Sequence, residues 1–321
     1  MRVALLFSPQ GAQSVGMGRD LAAVSPAARA VFAEADAVLG WSVSELAWEG
    51  PEDRLNDTRQ TQPCLVATSI ACLRSLEEAL ATRGERLTPA FVAGHSVGEY
   101  AALVAAGALS IEDALRLVAV RGALMADAGV PGGMAAVIGL DRETVAGAVA
   151  SRDAGDDLVV ANDNAPGQVV ISGTEAALAA ATQPLQAAGA RRVIRLRVSG
   201  PFHSPLMSGV GKELEDSLAA ATWHDADPPI ISNVTAGPLR AAEEIRASLA
   251  RQVHSPVEWV ASLQFMLDSG VDTFVECGPG GSLTAMARRL DPDLRTLNVA
   301  DPATCVETAA ALARAGSGMA A

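Results

Sequence analysis

The sequence predicts a mostly parallel α/β core that carries an inserted ferredoxin-like subdomain. Three observations point to this. Short apolar runs alternate with longer helical stretches in residues 1–128 and again in 200–321. Between them, residues 129–199 run strand, helix, strand, strand, helix, strand, the βαββαβ order. Finally, Gly94-His95-Ser96-Val97-Gly98 stands where an apolar run gives way to a small-residue helix. A G-x-S-x-G pattern in that setting predicts a strand, a sharp turn and a helix, with serine at the apex.

The elements follow in order. Val3 to Phe7 is a buried strand, and "SPQGAQSVGMG" is the glycine-rich loop after it. Helices take much of Asp20 to Leu39 and of Thr61 to Ala81. "PAFVAG" (Pro89 to Gly94) is a second strand that leads into Ser96. Ser110 and Asp113 form an S-x-x-D start signal for the next helix. Ile111, Ala114, Leu115, Val118 and Met125 form its apolar stripe, and Arg121 lies on the same stripe. An arginine there is costly unless an anion or an internal acid meets it.

In the subdomain, "MAAVIGL" is a strand, "DRETVAGAVAS" a helix, and "DLVVAN" and "GQVVISG" are strands. "TEAALAAATQPLQAAG" is a helix with an irregularity expected at Pro184, and "RRVIRLRV" is the last strand. Beyond it, Pro228 to Val234 and Asp272 to Cys277 are strands of the resumed core. "GPGGSLTAMARRL" opens a helix at a glycine-rich turn, and "AGSGMAA" is a frayed tail.

With 321 residues, half of them hydrophobic, the chain has ample core for one large domain or two smaller ones. Its net charge of −13 argues against general nucleic-acid binding. One basic run stands out: Arg191, Arg192, Arg195 and Arg197 in "ARRVIRLRV" form either a solvated strand end or a landing surface for an acidic partner. Cys64, Cys72, Cys277 and Cys305 lack metal-ligand spacing, and Cys64 and Cys72 fit a reduced core. "MRVALLFSPQ" is too short in its apolar part for a signal peptide, and no run suits a membrane span. A cytoplasmic protein is expected.

Ser96 fits a nucleophile. Flanking glycines remove the Cβ atoms that would crowd the turn, and the following helix aims N–H groups, first that of Val97, at a developing oxyanion. A serine nucleophile needs a base, and the chain has only four histidines. His95 is next to Ser96, so its side chain diverges from the serine. His224 lies in the polar "TWHDADPP" loop. This leaves His203, where the subdomain rejoins the core, and His254, near a helix end.

The sequence resembles the malonyl-CoA:acyl carrier protein transacylase family, which also supplies acyltransferase domains of polyketide synthases. The matching stretches are "QGAQSVGMG", "TQPCLVATSIA", "AGHSVGEYAALVAAGALS", "ALRLVAVRGALM", "NAPGQVVISG", "VSGPFHSPLM", "RQVHSPVEW" and "ECGPGGSLT", spread over nearly the whole chain. The resemblance implies a hydrolase-like core with the ferredoxin-like insertion. It assigns Ser96 as nucleophile and His203 as base. It gives the Gln10 and Val97 N–H groups to the oxyanion hole, Arg121 to the malonyl carboxylate, and the Gln252 main-chain carbonyl to orienting His203. In one place the chain departs from the family: it has Phe7-Ser8-Pro9-Gln10 where the family pattern is F-P-G-Q. Proline restricts its own φ and the residue before it, so the Gln10 N–H is the part of the site most exposed to change.

The implied reaction is a ping-pong transfer of malonyl from malonyl-CoA to an acyl carrier protein, in fatty-acid or polyketide biosynthesis. Coenzyme A enters as part of the substrate, and no cofactor or metal is implied. Nor is a nucleic-acid or membrane partner, and a monomer is expected. Phe202 resembles the malonyl-selective pattern of the polyketide relatives. Asn162 and Gln168 resemble a loop facing the acyl or pantetheine group, although ordinary turn chemistry accounts for them equally well. Arg191, Arg192, Arg195, Arg288 and Arg289 are candidates for carrier docking. Two rivals stand beside this reading. One is a serine acyl hydrolase, which has no use for Arg121. The other is a non-catalytic carrier-docking protein, which the altered stretch before Gln10 would suit.

Overall fold

In the computed structural model, which describes residues 1–150 and 155–317, the strands form two separate sheets. They are β1 (Val3–Phe7), β2 (Phe91–Gly94), β3 (Gly133–Ile138), β4 (Leu158–Ala165), β5 (Gln168–Gly173), β6 (Arg192–Arg195), β7 (Ile230–Ile231), β8 (Pro238–Leu239), β9 (Thr273–Cys277) and β10 (Arg295–Val299). The larger sheet has the order β10-β9-β1-β2-β7-β8 and is parallel apart from the β7–β8 pair. The smaller sheet is antiparallel with the order β4-β5-β3-β6. With its two helices, Arg142–Ala150 and Glu175–Ala187, it completes a βαββαβ unit.

Strand alternation explains how the large sheet is buried on both faces. Leu5 and Phe7 point into one apolar cluster with the helix Thr58–Ala81, while Ala4 and Leu6 point into another with Trp259, Leu263 and Phe274. The subdomain has its own core, in which Val137, Val169 and Ile171 of the sheet meet Leu178 and Leu185 of its second helix. The two parts touch through main chain: the Val257 N–H donates to Ala161 O, and the Asp163 N–H donates to Val257 O.

The register positions the site. β1 and β2 are adjacent and parallel with Phe7 opposite Gly94, so the loops carrying Gln10 and Ser96 leave the same edge of the sheet side by side. In open parallel sheets that carboxyl edge is where ligands bind.

Several expectations need correction. The strand expected over Pro228 to Val234 pairs only at Ile230–Ile231, because the chain leaves the ladder there and Asn233 bonds to the Ser96 turn instead. β6 stops at Arg195, short of Val198. The helix Glu175–Ala187 passes through Pro184 without a break, held to its sheet by Leu178, Ala181 and Leu185. The short helices Val43–Glu49 and Glu52–Leu55, strand β10 and the helix Pro302–Ser317 were not anticipated. That last helix covers the start of the expected frayed tail; residues 318–321 lie outside the described residues, as does Ser151 at the end of an expected helix.

Candidate active site

β2 ends at Gly94, and the helix Gly98–Ala105 starts four residues later. Between them Ser96 takes φ +52°, a left-handed conformation that costs a non-glycine residue energy. Both flanking glycines are required by close approach. A Cβ on Gly94 would meet the Gly98 carbonyl at 2.0 Å, and one on Gly98 would meet Phe7 O at 2.2 Å. Asn233 clasps the turn: its Oδ1 accepts from the Ser96 N–H at 2.6 Å and its Nδ2 donates to Gly94 O at 2.6 Å.

The apex serine meets a histidine. Ser96 Oγ lies 2.8 Å from His203 Nε2. His203 Nδ1 faces two carbonyl oxygens, Gln252 O at 2.9 Å and Ser255 O at 3.2 Å. A carbonyl only accepts, so Nδ1 carries the proton and Nε2 is free to take one from the serine. Burial, reinforced by the Arg121 charge, lowers the His203 pKa to about 3, so the imidazole is neutral at ordinary pH. His203 also has positive φ, +58°. His254, the rival base, packs against Gly211, and His224 is exposed. His95 turns away from the serine to Asn164 Oδ1 at 2.8 Å and stacks edge-on against Trp259.

Arg121 is fully buried and lines the same cavity. Its Nη1 donates to Gln62 Oε1 at 2.7 Å, and its Nη2 donates to Gln252 Oε1 at 2.9 Å and to Ser96 Oγ at 3.1 Å. Its Nε has no partner, and among the described residues it makes no ion pair. The internal acid that would make it a structural pair is therefore missing from its immediate contacts. What remains is a buried cation with unspent donors, beside a serine hydroxyl.

The Gln10 and Val97 N–H groups, expected at an oxyanion hole, have no hydrogen-bond partner among the described residues. The altered stretch before Gln10 is anchored. Ser8 Oγ donates to the buried Glu276 Oε1 and to Pro279 O, both at 3.2 Å, and Gln10 Nε2 donates to Thr58 Oγ1 at 3.2 Å. The serine hydroxyl fills space that a Cβ on Gly278 would need.

The cavity holds about 630 Å³. Ser96, His203, Arg121, Gln10, Phe202 and Asn162 all line it. Gln168 does not: at the outer end of β5, its Oε1 accepts from Arg289 Nη1 at 2.8 Å. That pairing also ties up Arg289, which donates to Pro166 O at 2.5 Å. Arg195 pairs with Glu175, and Arg288 donates to Thr296 Oγ1 at 2.7 Å. Arg191 and Arg192 are exposed. Sequence reasoning missed Gln62, Glu99, Asn164 and Asn233. Only Glu99 carried a signal, since it closes the G-H-S-x-G-E run. Among the described residues, no group of three or more His, Cys, Asp or Glu side chains could hold a metal ion, and no helix is long and apolar enough to cross a membrane.

Comparison with known proteins identifies the family. Residues 4–307 match the family described as acyl transferase domain. A malonyl CoA-acyl carrier protein transacylase of Bacillus subtilis is 42% identical over 307 residues, covering 94% of this chain and 95% of that one. A crystal structure of a transacylase of the same name from Clostridium perfringens superposes with a TM-score of 0.92 at 33% identity, covering 100% of both chains. A malonyl-transacylase solved in complex with a type II PKS acyl-carrier protein gives 0.90 at 38% identity, over 95% of this chain and 98% of that one. The chain belongs to the acyl transferase domain family, among its malonyl-CoA:acyl carrier protein transacylases.

Proposed function

We propose that the chain moves a malonyl group from malonyl-CoA to the phosphopantetheine thiol of an acyl carrier protein, through a malonyl ester on Ser96. His203 Nε2 takes the hydroxyl proton as Ser96 Oγ attacks the thioester carbonyl. The Gln10 and Val97 N–H groups receive the oxyanion. Collapse breaks the carbon–sulfur bond, and the His203 proton leaves with coenzyme A as its thiol. In the second half the carrier thiol gives its proton to His203 and attacks the ester, and Ser96 recovers its proton as it leaves. Gln252 O and Ser255 O keep the imidazole in the tautomer that both halves need.

One observation carries the reading: a buried arginine that touches no carboxylate directly among the described residues, 3.1 Å from the Ser96 hydroxyl. It suits an acyl group that ends in a carboxylate and penalises a neutral one, which would leave the cation unpaired. Phe202 lines the same cavity, where its ring would crowd an α-branched acyl group, and Asn162 offers a polar contact. An acyl hydrolase needs no such cation, and a pure docking protein needs no serine–histidine pair. Of the five candidate arginines for docking an acidic carrier, Arg191 and Arg192 are the two exposed ones not already engaged by Glu175, Thr296 or Gln168. The protein acts as a cytoplasmic monomer without cofactor or metal; its four buried, unpaired cysteines support a reducing compartment.

Intact-protein mass spectrometry after brief exposure to malonyl-CoA or acetyl-CoA tests this. A malonyl adduct on the native chain that is absent from Ser96→Ala is expected. Free coenzyme A without an adduct would favour the hydrolase, and neither product would favour the docking protein.

A further inference from the structure

Arg121 is not left wholly without a counter-charge. Gln252 relays it to Glu99: Arg121 Nη2 donates to Gln252 Oε1 at 2.9 Å, and Gln252 Nε2 donates to Glu99 Oε2 at 2.5 Å. The same Nε2 donates to Ser96 O at 3.0 Å, so one amide joins the cation, the carboxyl and the nucleophile's own backbone. Glu99 is buried, at 2% exposure. The site thus holds one buried cation and one buried acid, separated by an amide. An incoming carboxylate on Arg121 would be the second acid around a single cation.

We propose that Glu99 tunes substrate acceptance as the relayed counter-charge of Arg121, and that the malonyl carboxylate binds well only when Glu99 carries a proton. This rests on Arg121 being the carboxylate's partner. Two carboxylates sharing one buried cation do not both ionise readily. Protonated, Glu99 leaves the guanidinium charge to the substrate. Ionised, it competes for that charge and repels the newcomer.

The surroundings make Glu99 the group to watch. Burial raises its pKa to about 7, against which the bonds from Gln252 and from the Asn233 N–H, and the Arg121 charge, pull it down. The other titratable groups nearby do not change charge near neutrality. Burial holds His203 at about 3 and His95 at about 4. It pushes the Tyr100 phenol up, and Arg121 stays charged. Gln62, Gln252 and Asn233, from the remaining elements packed here, do not titrate.

The test is kcat/KM for acylation of Ser96 by malonyl-CoA between pH 6 and 9, in the native chain and in Glu99→Gln. With Glu99 half-ionised near pH 7, the native value is expected to fall about tenfold from pH 6 to pH 8. Glu99→Gln, which keeps the shape without the charge, is expected to lose that fall. Titrating groups on coenzyme A act equally on both proteins and cancel. Parallel profiles, or a uniform loss in the variant, would leave Glu99 a structural role only and overturn the proposal. So would a flat native profile, which decides the matter even if the variant does not fold. As a second measurement, acylation of the native chain in weakly buffered solution should take up nearly one proton at pH 8 and almost none at pH 6, after correction for the released thiol. Equal uptake at the two values overturns the proposal. If no malonyl ester forms on Ser96 at any pH, the transfer reading falls with it.

Discussion

Replacing Arg121 by alanine is the sharpest perturbation of substrate choice. A carboxylate about 4 Å from the guanidinium, at an effective dielectric constant of about 20, gains about 4 kcal/mol. Stripping water from both ions takes part of this back, so about 2–3 kcal/mol should remain, in line with hydrogen bonds to charged groups. That corresponds to a loss of about 30- to 150-fold in kcat/KM for malonyl-CoA. Acetyl-CoA should move the other way, because the native site strands an unpaired cation against a methyl group. Rapid-quench acylation of Ser96 with each thioester reads both numbers. The variant orphans Gln62 Oε1 and Gln252 Oε1, both partners of Arg121, so a melting curve must show that it is folded. A folded variant that loads malonyl within threefold of the native rate, with no gain for acetyl, would refute the reasoning.

Other outcomes follow from the same contacts. Asn233→Ala removes both bonds that clasp the Ser96 turn; a stability loss of about 1–3 kcal/mol by denaturant titration, with slower acylation, is expected. Ser8→Ala deletes the bond to Glu276, which keeps Thr284 and Asn298 as partners; acylation should slow less than tenfold, and a larger fall would mean that the hydroxyl alone holds the Gln10 N–H in place. Stability should drop as pH falls below about 6.5. The unfolded chain takes up protons on His95 and His203 there, while the folded chain resists until about 4 and about 3. Each histidine contributes a slope of about 1.4 kcal/mol per pH unit. Glu99 opposes them: with its folded pKa raised to about 7, its stabilising contribution is full below its ordinary carboxylate value and fades as pH rises through 7. Between about 4.5 and 6.5 Glu99 should therefore cancel about one of the two histidine slopes, and melting temperatures of the native chain and of Glu99→Gln across that window check it.

The parts of the fold legible in the sequence were those with strong local patterns. Val3–Phe7 is a run of apolar residues buried on both faces, and the strand matches that run. The Ser110 cap was legible because its bond to the Asp113 N–H is local. β10, "RTLNV", escaped notice because it is partly exposed at a sheet edge and its polar residues break the apolar run. The site shows the same division. Ser96 announces itself through its two glycines, and Arg121 through its place on an apolar stripe. Asn233 gives no such signal: it acts across 137 positions of chain, through an amide that looks like ordinary turn chemistry. Gln62 and Gln252 are similar, since a glutamine side chain in a helix is usually solvated, and only tertiary structure shows that these two hold a cation.

Arg121 does two jobs that pull against each other, and the geometry reconciles them. Its charge attracts a carboxylate, but it also sits beside the hydroxyl that His203 must deprotonate. That proximity helps the first step in one way: a cation near the imidazole keeps it unprotonated, and the Arg121 charge is the largest cause after burial of the low His203 pKa. A base held near 3 is always available but weak. A malonyl carboxylate on the guanidinium would offset that charge and ease the His203 pKa upward, although burial, the larger cause, still holds it well below its ordinary value; the base is then somewhat stronger when a substrate is present. An acetyl thioester brings no such relief. The same cation thus favours malonyl twice, once in binding and once through the basicity of the histidine. It follows that in Arg121→Ala the acetyl reaction should gain in kcat as well as in KM. A gain confined to KM would restrict the role of Arg121 to binding.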